Sequence, residues 1–180
     1  MIEDLSKIKV IAMDCDGTLT DGSMIFIGKD QMKFFFAHDG LGIAIALKLG
    51  FKIIWVTGSA TPAIDARAIQ LGITEVVDGC ADKKLAIDQI VEKYKVSYEE
   101  ICYIGDDLND IPAMKVVGFP VAVANSTEEP MKCAKYITKK TGGKGAVRET
   151  IELILKAQGK WQRVIDNYEE FAFAQKKLVQ

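Results

Sequence analysis

Two aspartates are separated by one residue, directly after an apolar run. Asp14 and Asp16 follow residues 8–13 (IKVIAM) and precede Gly17. One carboxylate can attack an electrophilic centre while a second moves a proton, since a single group cannot do both tasks at once. Gly17 lets the backbone turn sharply and stay open to a ligand. On its own, such a pair also fits capping or solvated acids.

Three further polar groups follow apolar runs in the same way. The first is Thr57-Gly58-Ser59, where a hydroxyl and backbone N–H groups before a helix can bind an anion. The second is Lys83, near a predicted helix start. The third is the acidic segment 104–110 (IGDDLND), whose charges repel unless a cation lies among them. Each alone also fits a cap or a solvated surface, but the four together predict one phosphate- and metal-binding site.

The elements that carry these groups alternate between short apolar strands and helices. This alternation predicts an α/β fold with a Rossmann-like parallel sheet and helices on both faces. In such folds ligands bind beyond the carboxyl ends of the strands, where these polar groups lie. Strands are predicted at 8–13, 51–56, 74–77, 101–104, 119–123 and 135–138, and helices at 41–49, 61–71, 82–95, 108–117, 145–157 and 161–177.

Residues 22–37 interrupt the alternation. Two β-prone runs flank a turn-like segment at 28–30, which predicts a β-hairpin inserted after the first strand. On its second strand, Phe34 and Phe36 are expected to face one way and Phe35 the other. A two-stranded hairpin with apolar residues on both faces is not stable alone. It must pack on the domain or on another subunit.

Length and charge limit the other possibilities. A chain of 180 residues predicts a single domain over 1–180, with the hairpin at 22–37 and a tail at 158–180. Its net charge of −2 gives no general attraction to nucleic acid or to an anionic membrane. None of the four cysteines forms a CxxC pair, which is typical of reduced thiols. The first residues lack the apolar core of a signal peptide. No apolar run reaches the ~20 residues of a membrane span. We therefore expect a cytoplasmic protein.

The order Asp-x-Asp-Gly-Thr, Thr, Lys and Gly-Asp-Asp-x-x-Asp resembles the haloacid dehalogenase superfamily of phosphotransferases, over roughly residues 8–157. The resemblance implies that Asp14 is the nucleophile and forms an aspartyl-phosphate. It implies that Asp16 is the general acid to the leaving alkoxide and then the base for water. Thr57 and Lys83 would hold the phosphoryl oxygens. A dehalogenase needs no second acid, so Asp16 favours phosphate chemistry.

The same resemblance implies a Mg²⁺ cofactor. Its ligands would be Asp14, Asp106 and the backbone carbonyl of Asp16, with Asp107 supporting them. A carboxylate attacks a phosphate dianion poorly because like charges repel, and Mg²⁺ together with Lys83 would offset that repulsion. Mg²⁺ also prefers few carboxylates and keeps water and substrate oxygens as its other ligands.

The gap between Asp16 and Thr57 is too short for a large cap domain. A capless member with a hairpin resembles the ulosonate-phosphate phosphatases, which include 3-deoxy-D-manno-octulosonate 8-phosphate phosphatase. The matching segments are Asp21-Gly22, 36–43 (FAHDGLGI) and 142–149 (GGKGAVRE). This resemblance implies an acidic sugar phosphate as substrate, a role in lipopolysaccharide biosynthesis, and a homotetramer in which hairpins cap neighbouring sites.

One departure from the pattern affects the substrate. That family usually has Thr-Gly-Arg where this chain has Thr57-Gly58-Ser59, and Ser59 cannot replace a bidentate cation. Arg67, or Lys144 or Arg148 of the partner subunit, would then bind the carboxylate. A nine-carbon nonulosonate phosphate or another small phosphate ester stays open as the substrate. The predicted substrate-binding residues are Thr57, Gly58, Ser59, Arg67 and Lys83.

Two other classes of protein share this fold. A non-catalytic subunit would be expected to lack at least one of the four reactive residues, yet Asp14, Asp16, Lys83 and Asp106 are all present. A phosphomutase usually needs a closing cap to keep its intermediate away from water. Phosphate ester hydrolysis is therefore the predicted activity.

Overall fold

A six-stranded parallel sheet forms the centre of this computed structural model, which describes residues 2–28 and 30–171. Its strands are β1 (Val10–Met13), β4 (Lys52–Val56), β5 (Val76–Val77), β6 (Ile101–Gly105), β7 (Phe119–Ala122) and β8 (Tyr136–Ile137); β2 (Ile25–Ile27) and β3 (Asp30–Met32) form a separate antiparallel pair. The strand order is β5-β4-β1-β6-β7-β8. The central strands β4, β1, β6 and β7 are buried almost throughout, as expected for a sheet covered on both faces.

Helices cover both faces of the sheet. They are α1 (Ile2–Ser6), α2 (Ala37–Lys48), α3 (Pro62–Leu71), α4 (Lys83–Tyr94), α5 (Ile111–Met114), α6 (Glu128–Cys133), α7 (Ala146–Ala157), α8 (Trp161–Asp166) and α9 (Tyr168–Phe171), with 3₁₀ turns at Tyr98–Glu100 and Leu108–Asp110. Side chains of β1 alternate between the two layers, with Ile11 and Met13 in the core beneath α2 and α7. Val10 and Ala12 lie in the core beneath α4 and α5. The predicted α/β class, the Rossmann-like sheet and the two helical layers are confirmed.

The hairpin lies where the sequence predicts it, but its second strand is shorter than expected. β3 ends at Met32, so the phenylalanine run at 34–36 is not on a strand, and that assignment was wrong. Here the chain leaves the hairpin to enter α2, and the Phe35 ring stacks on Trp55 of the core with centroids 6.2 Å apart. Phe34 is exposed. The described residues contain no cap domain larger than this hairpin, as predicted.

Several element boundaries differ from the prediction. The helix predicted at 41–49 begins at Ala37. The helix predicted at 108–117 is a 3₁₀ turn followed by the short α5. The Asp110 side chain accepts the backbone N–H of Asp106, which precedes it, and Pro112 lies in the first turn of α5. The segment predicted helical at 161–177 breaks at Asn167, and residues 172–177 lie outside the described part of the chain. α1 was not predicted.

The start of the predicted tail packs onto the domain. Val164 and Phe171 are buried in the core beneath α2 and α7. A single domain over 1–180 stays a prediction, since residues 172–180 are outside the described range. No helix of the described residues combines the length and apolar character needed to cross a membrane.

Candidate active site

Three of the predicted site residues follow neighbouring strands of the sheet. In the register, Met13 of β1 lies beside Trp55 of β4 and beside Ile104 of β6. Asp14, Thr57 and Asp106 come directly after these strand ends. The parallel topology therefore brings them together at the carboxyl edge, at the point where β1 lies between strands that come later in the chain.

Lys83 reaches this edge from the first residue of α4. Asp82 caps that helix by accepting the Leu85 N–H, which fixes its start. The Lys83 Nζ donates to Asp14 Oδ1 at 2.5 Å and to Asp110 Oδ1 at 2.7 Å, and its side chain has no solvent exposure. Burial alone would lower the pKa of Lys83, but Asp14 and Asp110 raise it above its ordinary value. Lys83 is therefore a fixed positive charge beside Asp14.

Asp110 anchors this arrangement. Its Oδ1 also accepts the Tyr103 hydroxyl at 2.7 Å. Its Oδ2 accepts the backbone N–H of Asp106 at 2.8 Å and of Asp107 at 3.2 Å. Both oxygens are thus occupied by donors, so Asp110 holds Lys83 and the turn after β6 and is a poor candidate for a metal ligand.

The loop after β1 passes very close to Asp106. Thr18 Oγ1 donates to Asp106 Oδ1 at 3.0 Å. Gly17 has φ +97°, and a Cβ at that position would overlap the Asp106 carboxylate. Any larger residue would therefore be strained in its backbone and would also displace Asp106. The glycine lets the two acidic loops lie against each other.

The carboxylates at this edge suit a divalent cation. Oxygens of Asp14, Asp106 and Asp110 lie within 4.8 Å of one another. Burial raises the pKa of Asp14 to about 7, against the effect of Lys83, and raises that of Asp106 to about 7 with the help of the neighbouring acids. A cation would offset this cost of burying charge. Because Asp110 is occupied by donors, Asp14 and Asp106 are the carboxylates that fit Mg²⁺.

Asp16 has a partner that the sequence did not reveal. Lys33, just after β3, places Nζ 2.5 Å from Asp16 Oδ1, and the two side chains are 3% and 24% exposed. The contact expected between a metal ion and the backbone carbonyl of Asp16 stays a prediction. No spacing pattern links the two residues, since the hairpin alone brings them together.

Thr57, Gly58 and Ser59 form the turn after β4. Thr57 is buried, and its Oγ1 accepts the Ser59 N–H at 3.1 Å and also contacts the thiol of Cys15, next to Asp14. Gly58 is exposed and Ser59 is half-buried. The turn therefore lies beside the Asp14 loop, where a phosphate-binding role requires it.

The side chains of two predicted contributors have their hydrogen-bond partners outside the acidic cluster. Arg67 is half-buried on α3, donates to Gln70 Oε1 at 2.6 Å and lies 5.8 Å from the centre of the Phe35 ring. Asp107 is exposed and accepts the Leu108 N–H at 2.8 Å and the Thr127 hydroxyl at 3.2 Å. The predicted supporting role of Asp107 stays a prediction, whereas the Asp110 carboxylate contacts Lys83 and the backbone of Asp106 directly.

The glycine-rich segment 142–145 lies on the Asp14 loop. A Cβ at Gly142 would overlap the Gly17 carbonyl, and the Gly143 N–H donates to the Thr18 carbonyl at 3.0 Å. The start of the following helix α7 is held by the buried Asp39, which accepts the N–H groups of Gly145 at 3.2 Å and Arg148 at 2.7 Å.

A cleft of about 590 Å³ lies next to this helix start. Lys144, Arg148 and the exposed His38 are among the residues that line it. The Asp14 cluster is not part of its lining. His38 lies in the first turn of α2, with its ring 4.8 Å from that of Phe36, so the structure gives it no contact with the acidic cluster.

Comparison with known proteins identifies the family. Residues 54–151 match the haloacid dehalogenase-like hydrolases. The chain belongs to this family. The hydrolase is 38% identical to 3-deoxy-D-manno-octulosonate 8-phosphate phosphatase KdsC of Escherichia coli K12 over 162 residues, which cover 89% of this chain and 86% of that one.

Solved structures show the same similarity. This hydrolase superposes with a TM-score of 0.90 on the 3-deoxy-D-manno-octulosonate 8-phosphate phosphatase of Moraxella catarrhalis in complex with magnesium, phosphate and KDO, at 38% identity over 93% of this chain and 97% of the other. The TM-score is 0.88 for the cobalt-bound phosphatase of Haemophilus influenzae, at 33% identity over 93% and 98% of the two chains. The resemblance stated from the motifs is confirmed.

Proposed function

We propose that this hydrolase is a Mg²⁺-dependent phosphatase that converts 3-deoxy-D-manno-octulosonate 8-phosphate to the free sugar acid and phosphate. The observation that carries the proposal is the buried Lys83 held between Asp14 and Asp110, beside Asp106 at the strand ends. This arrangement fixes the Asp14 carboxylate, the Lys83 ammonium group and the Asp106 carboxylate, our proposed metal ligand, close together. The names of the bacterial relatives support the choice of substrate.

The residues divide the reaction into two steps. Asp14 attacks phosphorus, the bond from phosphorus to the sugar oxygen breaks, and the leaving alkoxide takes a proton from Asp16. A water molecule then gives its proton to Asp16 and attacks the aspartyl-phosphate, which releases phosphate and restores Asp14. Throughout, Lys83 stabilises charge on the phosphoryl oxygens, because it is already oriented before the substrate binds.

Asp14, Asp106 and the backbone carbonyl of Asp16 would hold Mg²⁺, which when bound neutralises charge between the attacking carboxylate and the phosphate. Asp110 keeps the turn that carries Asp106 in place through two backbone hydrogen bonds. Thr18 fixes the orientation of Asp106 by donating to its Oδ1. These contacts are made by the protein itself, so the ligand set is built before the ion arrives.

Thr57, Gly58 and Lys83 would bind the phosphate end of the substrate. Ser59 stands where an arginine would bind the carboxylate end, so that group needs another cation, for which Arg67 is our candidate within the chain. The serine at position 59 also keeps a nine-carbon nonulosonate phosphate as a second candidate substrate, since a cation in a different place would suit a different sugar acid.

The assembly we propose is a homotetramer in which hairpins cover neighbouring sites. Met24, Phe26, Ile27 and Phe34 on and beside the hairpin are all more than half exposed, which is unfavourable for so small an element. We also infer a cytoplasmic location, since Cys15, Cys80, Cys102 and Cys133 are free thiols.

Release of phosphate from 3-deoxy-D-manno-octulosonate 8-phosphate, with and without Mg²⁺, tests the proposed function. We expect activity that is lost on treatment with a chelator and restored by Mg²⁺. Asp14→Asn should lose at least about a hundredfold in rate, which is ~2.7 kcal/mol of barrier, whereas Asp65→Asn on the exposed side of α3 should not change it. Full activity in chelator, or an active Asp14→Asn variant, would refute the mechanism.

A further inference from the structure

Lys33 is a buried cation next to a hairpin whose apolar side chains are exposed. The hairpin presents Phe26 and Ile27 to solvent, yet the Lys33 side chain just after it is 3% exposed and points to Asp16. Burying an ammonium group is costly unless a charge and a hydrogen bond compensate it. The Asp16 carboxylate, 2.5 Å from Lys33 Nζ, provides that compensation. The chain therefore places a desolvated lysine directly on one particular carboxylate.

We propose that Lys33 is a positioning residue that orients Asp16 for proton transfer, so that the hairpin completes the acid–base group of its own subunit. The inference rests on the proposed phosphatase reaction. Lys33 donates to Oδ1 of Asp16, and Oδ2 would then be the oxygen that exchanges a proton with the leaving group and with water. Within the described residues, no other side chain donates a hydrogen bond to this carboxylate.

The orientation matters because Asp16 lies in a loop and is 24% exposed. A partly exposed carboxylate that rotates freely spends little time aligned with the oxygen it must protonate, and misalignment weakens general acid catalysis. The charge-assisted hydrogen bond from Lys33 restricts that rotation. Lys33 itself needs no contact with the substrate.

The test is a series of phosphate esters whose leaving groups differ in basicity: 4-nitrophenyl phosphate, phenyl phosphate and the sugar-acid phosphate. A weakly basic nitrophenolate leaves without a proton, whereas an alkoxide needs one from Asp16. Because kcat/KM reports the steps up to formation of the aspartyl-phosphate, it isolates the stage at which the leaving group departs. Wild-type protein is compared with Lys33→Met, with Lys33→Arg and with Lys84→Met, which removes an exposed lysine paired with Asp88.

For Lys33→Met we expect a loss of about a hundredfold in kcat/KM on the alkyl ester and less than about threefold on 4-nitrophenyl phosphate. Lys33→Arg should recover most of the loss, and Lys84→Met should behave like wild type. In the Asp16→Asn background, Lys33→Met should cause no further loss on the alkyl ester, because the two residues act as one unit. Retained activity on 4-nitrophenyl phosphate shows that the variant has folded.

Equal losses on all three esters would overturn the proposal, since Lys33 would then bind the phosphate or only stabilise the loop. A full additional loss in the Asp16→Asn background would overturn it too. The aryl ester series keeps this test separate from the choice of natural substrate. If the sugar-acid phosphate is not hydrolysed, the substrate proposal fails, and the dependence on the aryl leaving group still decides the role of Lys33.

Discussion

Lys83 and Asp110 form an ion pair at 2.7 Å in which neither side chain is exposed to solvent. Tyr103 donates to the same carboxylate, so Lys83 is held by a buried and hydrogen-bonded partner in addition to Asp14. Such preorganisation costs no rearrangement during the reaction, which is why fixed charges contribute strongly to phosphoryl transfer. The core below the site is therefore part of its chemistry.

Removal of the Asp110 carboxylate should destabilise the protein strongly. Asp110→Ala leaves Lys83 short of a partner and two backbone N–H groups without acceptors, so we expect a loss of about 3–5 kcal/mol in the free energy of unfolding. Asp107→Ala removes an exposed cap and should cost about 1 kcal/mol. Urea denaturation in metal-free buffer measures both, and equal losses would show that Asp110 is not an anchor.

Gly17 and Gly22 allow a test of the close approach to Asp106. Both have positive φ, so alanine at either should cost of order 1–2 kcal/mol of stability. A Cβ at Gly22 meets only ordinary contacts, whereas one at Gly17 overlaps the Asp106 carboxylate. We expect Gly17→Ala alone to raise the Mg²⁺ concentration for half-maximal activity, by about tenfold or more. A similar increase in Gly22→Ala would contradict this explanation.

Arg67→Ala tests how the carboxylate of the substrate is bound. If Arg67 contacts it, the KM for the acidic sugar phosphate should rise about ten- to hundredfold, and that for a sugar phosphate without a carboxylate should change little. Gln70→Ala is the matched control, since it removes the hydrogen-bond partner of Arg67 and keeps the cation. Equal effects on both substrates would instead favour Lys144 or Arg148 of the partner subunit.

The exposed hairpin predicts self-association. We expect wild-type protein to be a tetramer by light scattering, because closed assemblies are the usual outcome of self-complementary surfaces. Phe26→Asp should shift it to smaller species and lower its activity at the same time. Ile69→Asp, at an equally exposed apolar residue on α3, should change neither. A fully active wild-type monomer would refute the capping role of the hairpin.

Asp39 should make stability depend on pH. Burial raises its pKa to about 6, while the unfolded chain titrates near ~3.9. As pH rises, the unfolded state therefore releases the Asp39 proton before the folded state does. The stabilisation from protonated Asp39 is full below about pH 4 and is lost as pH rises through about 6. The difference in unfolding free energy between wild type and Asp39→Asn should fall by up to ~3 kcal/mol from pH 4 to pH 7. A difference independent of pH would contradict this expectation.

The sequence predicts the site well where the sheet alone positions it. Asp14, Thr57 and Asp106 follow parallel strands, so their alignment depends only on topology, and Lys83 follows from the start of α4. Sequence cannot give the contacts made across tertiary structure. Lys33 reaches Asp16 only through the path of the hairpin, and Tyr103 reaches Asp110 from within a strand.

The phenylalanine run shows the same limit in the fold. Aromatic residues favour a strand, but the Phe35 ring stacks on Trp55 of the core, and the chain leaves the hairpin to make this contact. Likewise the Asp110 side chain accepts the N–H groups of Asp106 and Asp107, which precede it, and this shortens the helix predicted at 108–117. In both places packing outweighs local pattern.

Gly142 and Gly143 press against the loop that carries Asp14, although they lie far from it in the sequence. During translation Asp14, our proposed nucleophile, leaves the ribosome well before the segment that supports its loop. A nascent chain therefore carries Asp14 before the segment that supports its loop has been made. A product truncated before this pair of glycines should be hydrolytically inert, so we expect activity only after the pair has been synthesised and has packed on the loop.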